Sequence, residues 1–582
     1  MSRQPAISAK SLPRGRFASK PWGVFEVNER RWGGLALLVL LSVYFAFAFH
    51  GAHRTAVTVD ELGHLPSGLL YIETGDPRFA SLNPPLVNVI SALPVMGALS
   101  GNDRALLEPS DDPFSFWENG YRFMEENRSR YLDLMNRARR GPIVVVALLG
   151  VLLFFWAGRL NPEAPVLAGV LAAGLVLLSP NVLAQARLVG TDTGTAFFVV
   201  LSVFTFGLFL KRPTLAFALC AGLALGLAQL TKFYALLLYP SFLILMIFRG
   251  RASEPSSDPI MSPRSQGWAL VAMVLVSLVV LNTGYLWSEF SAPLSDVTLQ
   301  SPLMRSLSSS VLGTLPLPLP AAYLRAFDGQ LVEVGSGMPS VLWGERFQGG
   351  RWDYFLGLLA IKTPIAIVLA FGVAVFGALR GHGLPRRESM LLWVYPVLLF
   401  VFLSLGDRRQ LGARALLSAV PFVALWTASV FARTVSPRWR WASAALVLVG
   451  LAMTSFASHP HHLAYFNSLV GGRDHGYQYV SDANIDIGQG LVGLADYLAE
   501  SGEESVQLLY FGSVDPELYG IDYVVPEPGE LKPGLLAVSV SLYSLRYPMY
   551  DHGTLRPVGP VNIPLDPIAS IGGSIHVFRI DP

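Results

Sequence analysis

Apolar residues in this chain fall in long unbroken blocks, each close to the ~20 residues that a bilayer's hydrocarbon core demands. The blocks lie near 32–49, 142–158, 164–180, 194–210, 214–231, 233–248, 268–287, 363–379, 389–405, 413–431 and 441–457, which predicts about eleven transmembrane helices. Three long polar stretches separate or follow them: 51–141, 288–355 and 458–582. Within the first, 122–140 is polar with apolar residues at helical spacing, and predicts a helix lying along the membrane surface. The last contains apolar runs at 506–511 and 535–541 that predict strands of a small α/β domain. Residues 250–267 read as a flexible Pro/Ser linker. No internal repeat is evident, so the inverted-repeat symmetry of many transporters has no support.

Composition sharpens this picture. Of 582 residues, 52% are hydrophobic and 14% are charged, against a charged share of about 25% in soluble domains. Disorder, collagen and a soluble enzyme with one ordinary core are excluded. With 43 Lys and Arg against 41 Asp and Glu, no polyanion-binding surface is implied, and nucleic acid is not expected as a partner. The single cysteine, Cys220, excludes a disulfide framework and a Cys-rich metal site. The basic lead of residues 1–31 is too long for a cleavable signal and has no small-residue cleavage site.

Lys and Arg in the short connections set the expected orientation. A cytoplasmic N-terminus places Lys211–Arg212, the Arg249/Arg251/Arg264 loop, Arg380/Arg386/Arg387 and Arg433/Arg438/Arg440 on the cytoplasmic side. An odd number of spans then puts the C-terminus outside. The expected organisation is a cytoplasmic tail (1–31), a membrane domain (32–457) with outer loops 51–141 and 288–355, and an outer domain (458–582). The setting is the inner (plasma) membrane, crossed many times.

The span interiors hold almost no ionisable residue, whereas transporters usually need charge near the midplane. Chemistry is therefore expected at the outer interface. Asp192, Lys232, Lys362 and Arg414 all fall at predicted outer span ends. The first outer loop contains Asp60-Glu61-Leu62-Gly63-His64, then Tyr71, Gly75-Asp76-Pro77-Arg78 and Asn83-Pro84-Pro85-Leu86. A carboxylate pair beyond a span is usually a solvated helix cap. This pair, however, sits in an apolar segment, where burial makes a carboxylate a usable base. Asp192 follows Arg187 in the next outer loop, so two acidic loops can meet above a lipid-facing groove.

The stretch DE-x-x-H-x6-Y-x3-GD-x-R-x4-NPPL resembles the first outer loop of the membrane-embedded GT-C glycosyltransferases. The nearest resemblance is to family 39, which holds the protein O-mannosyltransferases and the bacterial aminoarabinose transferases. Ala186-Arg187 through Asp192 is similar to the second acidic loop of that family, and Gly226 through Thr231-Lys232 to its G-L-x-x-x-T-K turn. Trp352 through Lys362-Thr-Pro364, Gly412-Ala-Arg414-Ala-Leu-Leu, Ala464-Tyr-Phe-Asn467 and Asp482-Ala-Asn484-Ile-Asp486 through Gln489 resemble later segments in the expected order. Ile487 stands where relatives usually carry Trp, and Asn83 replaces a commoner His, which leaves subfamily and substrate open.

The resemblance implies a GT-C fold: an all-α polytopic membrane protein with outer-face loops and a small α/β C-terminal domain. It implies transfer, with inversion, of a sugar from a polyprenyl-phosphate donor to a lipid, glycan or protein acceptor on the non-cytoplasmic face. In this reading Asp60 is the base, and Glu61 and Asp192 bind or orient the acceptor. Lys232 and Arg414 clamp the phosphate; Arg78, His64, Arg187 and Lys362 join the substrate-binding set. For the cations the plain alternative is snorkelling to the interface. No cofactor is required, and a divalent metal has no support in the residues: His459-Pro-His461-His462 lies just past the last span, and 482–493 lacks the Gly and Glu of a calcium loop. The competing readings are a transporter or flippase of lipid-linked glycans, and a non-catalytic envelope-assembly protein of the same fold.

Overall fold

Hydrophobic blocks without water to satisfy their backbone close into helices, because helical hydrogen bonding is internal to the segment. The computed structural model describes residues 27–80, 82–98, 115–248, 262–527, 530–545, 547–551, 554–558 and 561–582. The 250–261 part of the expected linker lies outside the described residues. The helices of the first half are α1 (Val27–His53), α2 (Glu61–Thr74), α3 (Leu86–Met96), α4 (Ser115–Glu126), α5 (Tyr131–Ala138) and α6 (Arg140–Leu160), then α7 (Pro165–Leu177), α8 (Pro180–Ala186), α9 (Thr191–Lys211), α10 (Leu215–Gln229), α11 (Leu238–Ile247) and α12 (Pro263–Gly284). There follow α13 (Pro302–Ser308), α14 (Ala321–Ser336), α15 (Tyr354–Lys362), α16 (Ile365–Gly377), α17 (Arg386–Leu405), α18 (Val420–Thr434), α19 (Arg440–Ser458) and α20 (Leu491–Ser501).

Among the described residues, seven helices are long and apolar enough to cross a membrane, or eight if the bent pair α7–α8 is one span. That pair bends by 63°, at Pro180, whose ring cannot continue a helix from the preceding turn. The other three expected spans are shorter apolar helices, Leu215–Gln229, Phe233–Ile247 and Val420–Thr434. Two of them are cut short where the chain turns to present a cation: Lys232 precedes a 3-10 turn, Phe233–Leu237, and Arg414 lies in another, Ala413–Leu416.

The helix expected over 122–140 is two helices, α4 and α5, separated at 127–130. It does not offer its apolar side to lipid. Phe123, Met124, Tyr131, Leu134 and Met135 are buried in one cluster with Leu62, Leu65 and Leu69 of α2 and Ala92 and Val95 of α3. The apolar spacing was real; a protein surface, not a membrane, covers it.

The C-terminal region carries a five-stranded sheet built from β3 (Ser505–Leu509), β4 (Asp522–Val524), β5 (Gly534–Ser539), β8 (Ala569–Ile571) and β9 (Ile575–Ile580), in the order β4-β3-β5-β9-β8. Two hairpins complete the strands: β1 (Pro339–Leu342) with β2 (Glu345–Gln348), and β6 (Tyr547–Asp551) with β7 (Thr554–Val558). β3 runs parallel to β4 and β5, while β9 is antiparallel to β5 and β8. Side chains alternate across a strand, and here both faces are covered. Val506, Leu508 and Ala537 pack with Leu494 and Leu498 of α20. Leu509, Leu536, Val538 and Phe578 pack with Ala184, Leu188 and Leu463 of the helical body.

Candidate active site

Asp60 stands at the N-terminal edge of α2, and Glu61 is that helix's first residue. Their side chains part at once. Asp60 lines a polar cleft of about 170 Å³ together with His64, Asp192, Lys232, Arg414 and Glu333, among others. Two ion pairs face each other there. The Arg414 guanidinium pairs with Asp60, and Lys232 Nζ lies 2.6 Å from Asp192 Oδ1. All four side chains keep some exposure to the cleft, between 12% and 30%. His64 is one turn beyond Asp60, with Nδ1 3.0 Å from Asn88 Oδ1. Burial, with Lys232 nearby, pulls its pKa down to about 4, so the ring is neutral at physiological pH. With Nδ1–H donating to Asn88, Nε2 is left as an acceptor.

Glu61 turns inward and is fully buried. Arg139 grips both its oxygens, Nε to Oε1 at 2.8 Å and Nη2 to Oε2 at 2.7 Å. Glu61 also accepts from the Thr58 backbone N–H at 3.0 Å, the Thr58 hydroxyl at 3.1 Å and the Val189 backbone N–H at 2.9 Å. Burial pushes this carboxyl up, but Arg139 and the two backbone N–H groups outweigh it and hold its pKa below the ordinary value. Arg139 spends its remaining hydrogens on the carbonyls of Ala52, Thr55 and Ala56. One buried pair thus ties the loop before Asp60 to the loop before Asp192.

At the far end of the cleft is a second charged group. Asp407 takes Arg409 bidentately, at 3.1 and 3.0 Å, and accepts the Tyr234 hydroxyl at 2.9 Å. Arg409 Nη1 also reaches Gln330 Oε1 at 2.6 Å and Glu333 Oε2 at 3.1 Å. Lys232 Nζ sits 5.1 Å from the centre of the Tyr234 ring, linking the two ends.

Beside the polar cleft a second cavity, of about 400 Å³, opens between α7, α8, α15, α16, α17 and α18. Its walls are mostly apolar, for example Leu175, Leu358, Ile367, Trp393, Phe400 and Val420. Arg414 and Gln185 line both cavities, so the two share a wall. Among the described residues, no cluster of three or more His, Cys, Asp or Glu could hold a metal ion.

Residues 133–282 match the model of the dolichyl-phosphate-mannose-protein mannosyltransferase family, and that stretch carries Asp192 and Lys232 with the helices that hold them. Comparison with curated proteins returned no match. Among solved structures, ArnT from Cupriavidus metallidurans bound to undecaprenyl phosphate is similar at 13% identity and a TM-score of 0.46, covering 90% of this chain and 97% of that one. The archaeal oligosaccharyltransferase AglB from Archaeoglobus fulgidus, in complex with an inhibitory peptide and a dolichol-phosphate, is similar at 14% identity and a TM-score of 0.44, covering 74% of this chain and 56% of that one.

The fold brings Asp60, His64, Asp192, Lys232 and Arg414 into one cleft. The other expected site residues lie elsewhere. Glu61 is the buried brace just described. Arg78 pairs with Asp76 at 2.7 Å, outside the cleft lining. Arg187 is buried behind the site, with Nη1 3.3 Å from His462 Nδ1 and a bond to the Pro460 carbonyl. Lys362 lines the apolar cavity, but its Nζ donates to the carbonyls of Leu463 at 2.8 Å and Asn484 at 2.6 Å. Glu333, Asp407, Arg409 and Tyr234 were missed by sequence reasoning. The one usable signal was Asp407-Arg408-Arg409 at a span end; Glu333 and Tyr234 carry no local mark.

Proposed function

We propose that the chain is a membrane glycosyltransferase that moves a sugar from a polyprenyl-phosphate donor to a hydroxyl-bearing lipid, glycan or protein acceptor, with inversion, on the outer face of the inner membrane. The cytoplasmic N-terminus and outer C-terminus follow from the positive clusters in the connections. The observation that carries the reading is the shared wall. Arg414 lies where an apolar cavity suited to an isoprenoid tail meets a polar cleft holding Asp60 and Asp192.

In this reading the carrier phosphate binds at Arg414 and Lys232, a planar fork and a point charge on one anion. Both cations are ion-paired within the cleft. The arriving phosphate draws Arg414 from Asp60 and frees that carboxylate. The acceptor oxygen then attacks the anomeric carbon, the bond from that carbon to the phosphate oxygen breaks with its electron pair, and Asp60 takes the acceptor proton. A phosphate monoester has a second pKa of about 6, so it departs without a protein acid, and the step calls for no cofactor.

Asp60→Asn is the test. The side chain keeps its size and still hydrogen-bonds, but cannot take the proton. The variant is expected to insert and bind donor while transfer falls by about 10²- to 10⁴-fold, the usual contribution of a positioned base. Turnover near that of the unaltered chain in a well-folded Asp60→Asn would remove Asp60 from the chemistry and leave Asp192 as the candidate.

A further inference from the structure

The Glu333–Arg409–Asp407 end of the cleft is not used by the step above, yet it is built as carefully as the Asp60 end. Asp407 is buried and saturated: Oδ1 accepts from Arg409 N and Nε, and Oδ2 from Arg409 Nη2 and Tyr234. Its work is to hold Arg409 and Tyr234 in place. Arg409 in turn bonds Asp407, Gln330 and Glu333. Glu333 places only Oε2 in this network, at 3.1 Å from Arg409 and 3.4 Å from Gln330. Its other oxygen and the lone pairs of the Tyr234 hydroxyl are acceptors that this end offers a ligand.

Charge points the same way. Two carboxylates face one guanidinium here, whereas the Asp60 end balances two of each sign. The neighbouring Arg408 does not restore balance, because it turns out of the lining to the Gly349 carbonyl at 3.3 Å. An end with spare acceptors and excess negative charge suits a ligand that presents O–H or N–H groups, and repels one that carries its own anion. It is also in the right place. From Lys232 the walls lead through the Tyr234 ring to Asp407 and Arg409, so a ring attached to a phosphate at Lys232 and Arg414 has this end ahead of it.

We propose that the Glu333–Arg409–Asp407 end of the cleft is the subsite for the transferred sugar ring, and that it selects neutral or amino sugars against uronic acids. The proposal rests on the lipid-phosphate donor reading above. The test measures binding of three probes to the purified full chain in detergent: bare polyprenyl phosphate, its hexosyl ester and its uronyl ester. The hexosyl ester is expected to bind more tightly than the bare carrier, and the uronyl ester no better than the bare carrier. Glu333→Gln is expected to cut the advantage of the hexosyl ester by roughly ten- to a hundredfold, the worth of one hydrogen bond to a charged group, while bare-carrier affinity stays. It should also narrow the discrimination against the uronyl ester. If Glu333→Gln fails to fold, Tyr234→Phe, which keeps the ring under Lys232, is read for the same ratio. Equal binding of hexosyl and uronyl esters, or a ratio unmoved by the substitution, overturns the subsite and leaves the donor reading standing. Failure of all three probes, bare carrier included, overturns both.

Discussion

Asp60 and Glu61 are neighbours in the chain, yet one faces a cleft and the other is sealed behind it. A helix turns 100° per residue, so consecutive positions at its start cannot share a surface, and α2 begins between them. Glu61 acts through the loops it holds. Removing one partner of a buried ion pair typically costs about 3–5 kcal/mol, because the other charge is left uncompensated. Glu61→Gln should therefore lower the melting temperature in detergent and reduce kcat, while acceptor KM changes little. The double variant Glu61→Gln/Arg139→Gln should lose less stability than the two single losses combined, since it strands no charge. A raised acceptor KM with stability and kcat intact would return Glu61 to the acceptor site. Of the sequence-derived residues, Asp60, Asp192, Lys232 and Arg414 were legible because a charge beside an apolar run or inside an apolar segment has few reasons to be there. Glu61, Arg187 and Lys362 satisfied the same criterion, but their partners are the Arg139 side chain and backbone carbonyls far away in sequence.

At the scale of elements, the short motifs gain physical reasons. Gly222 and Gly226 lie one turn apart on α10, on the face that meets α12. A Cβ on Gly226 would stand 2.5 Å from Val280 Cβ and 2.8 Å from the Ser277 carbonyl oxygen, and one on Gly222 would stand 2.5 Å from the Met273 carbonyl oxygen. Small residues at this spacing let helix backbones approach, and the turn that follows carries Lys232. Gly226→Ala is expected to push α10 from α12 at a cost of about 1–3 kcal/mol, the usual range for overpacking. A thermal unfolding scan in detergent checks it; an unchanged melting temperature would mean the contact relaxes freely. The Asn467 motif closes the end of α15, with Nδ2 donating to the carbonyls of Ala360 at 2.7 Å and Thr363 at 3.2 Å. Asn484 ties both ends of α15 to the Ala413–Leu416 turn: it donates to the Tyr354 hydroxyl, accepts from Ala413 N and offers its carbonyl to Lys362.

Across the whole molecule, the C-terminal region holds the loop that presents Asp60. Ala56 N donates to the Gln489 carbonyl at 3.1 Å, Val59 N to the Ile487 carbonyl at 3.1 Å, and Val57 N to the Tyr519 hydroxyl at 2.8 Å. Asp486 lies beside this seam, fully buried, with Oδ1 accepting from Gly488 N at 3.1 Å. Burial raises its pKa from 3.8 to about 7. The folded state therefore holds its proton more tightly than the unfolded chain. The stabilisation is complete below about pH 4 and is lost as pH rises towards 7. Asp486→Asn should raise the melting temperature more at pH 8 than at pH 5, and flatten its fall between them. Equal shifts at both pH values would show that the carboxylate does not titrate in this range.

Hydropathy alone determined that this chain is a polytopic membrane protein with polar loops and a small mixed domain, because burial in lipid is a property of each segment by itself. It also located the ends of the apolar runs where Asp192, Lys232 and Arg414 stand, and the apolar loop segment that carries Asp60. Tertiary structure decided what those charges do. Which of two adjacent carboxylates faces the cleft, which lysine holds an acid and which holds carbonyls, and whether 122–140 meets lipid or protein all depend on partners tens to hundreds of residues away. The union of the polar cleft with the apolar cavity at Arg414 is likewise a product of packing, since α7, α15, α17 and α18 meet there only in the folded chain. A contact between distant residues leaves no periodicity in either segment, and so it can be read only after folding.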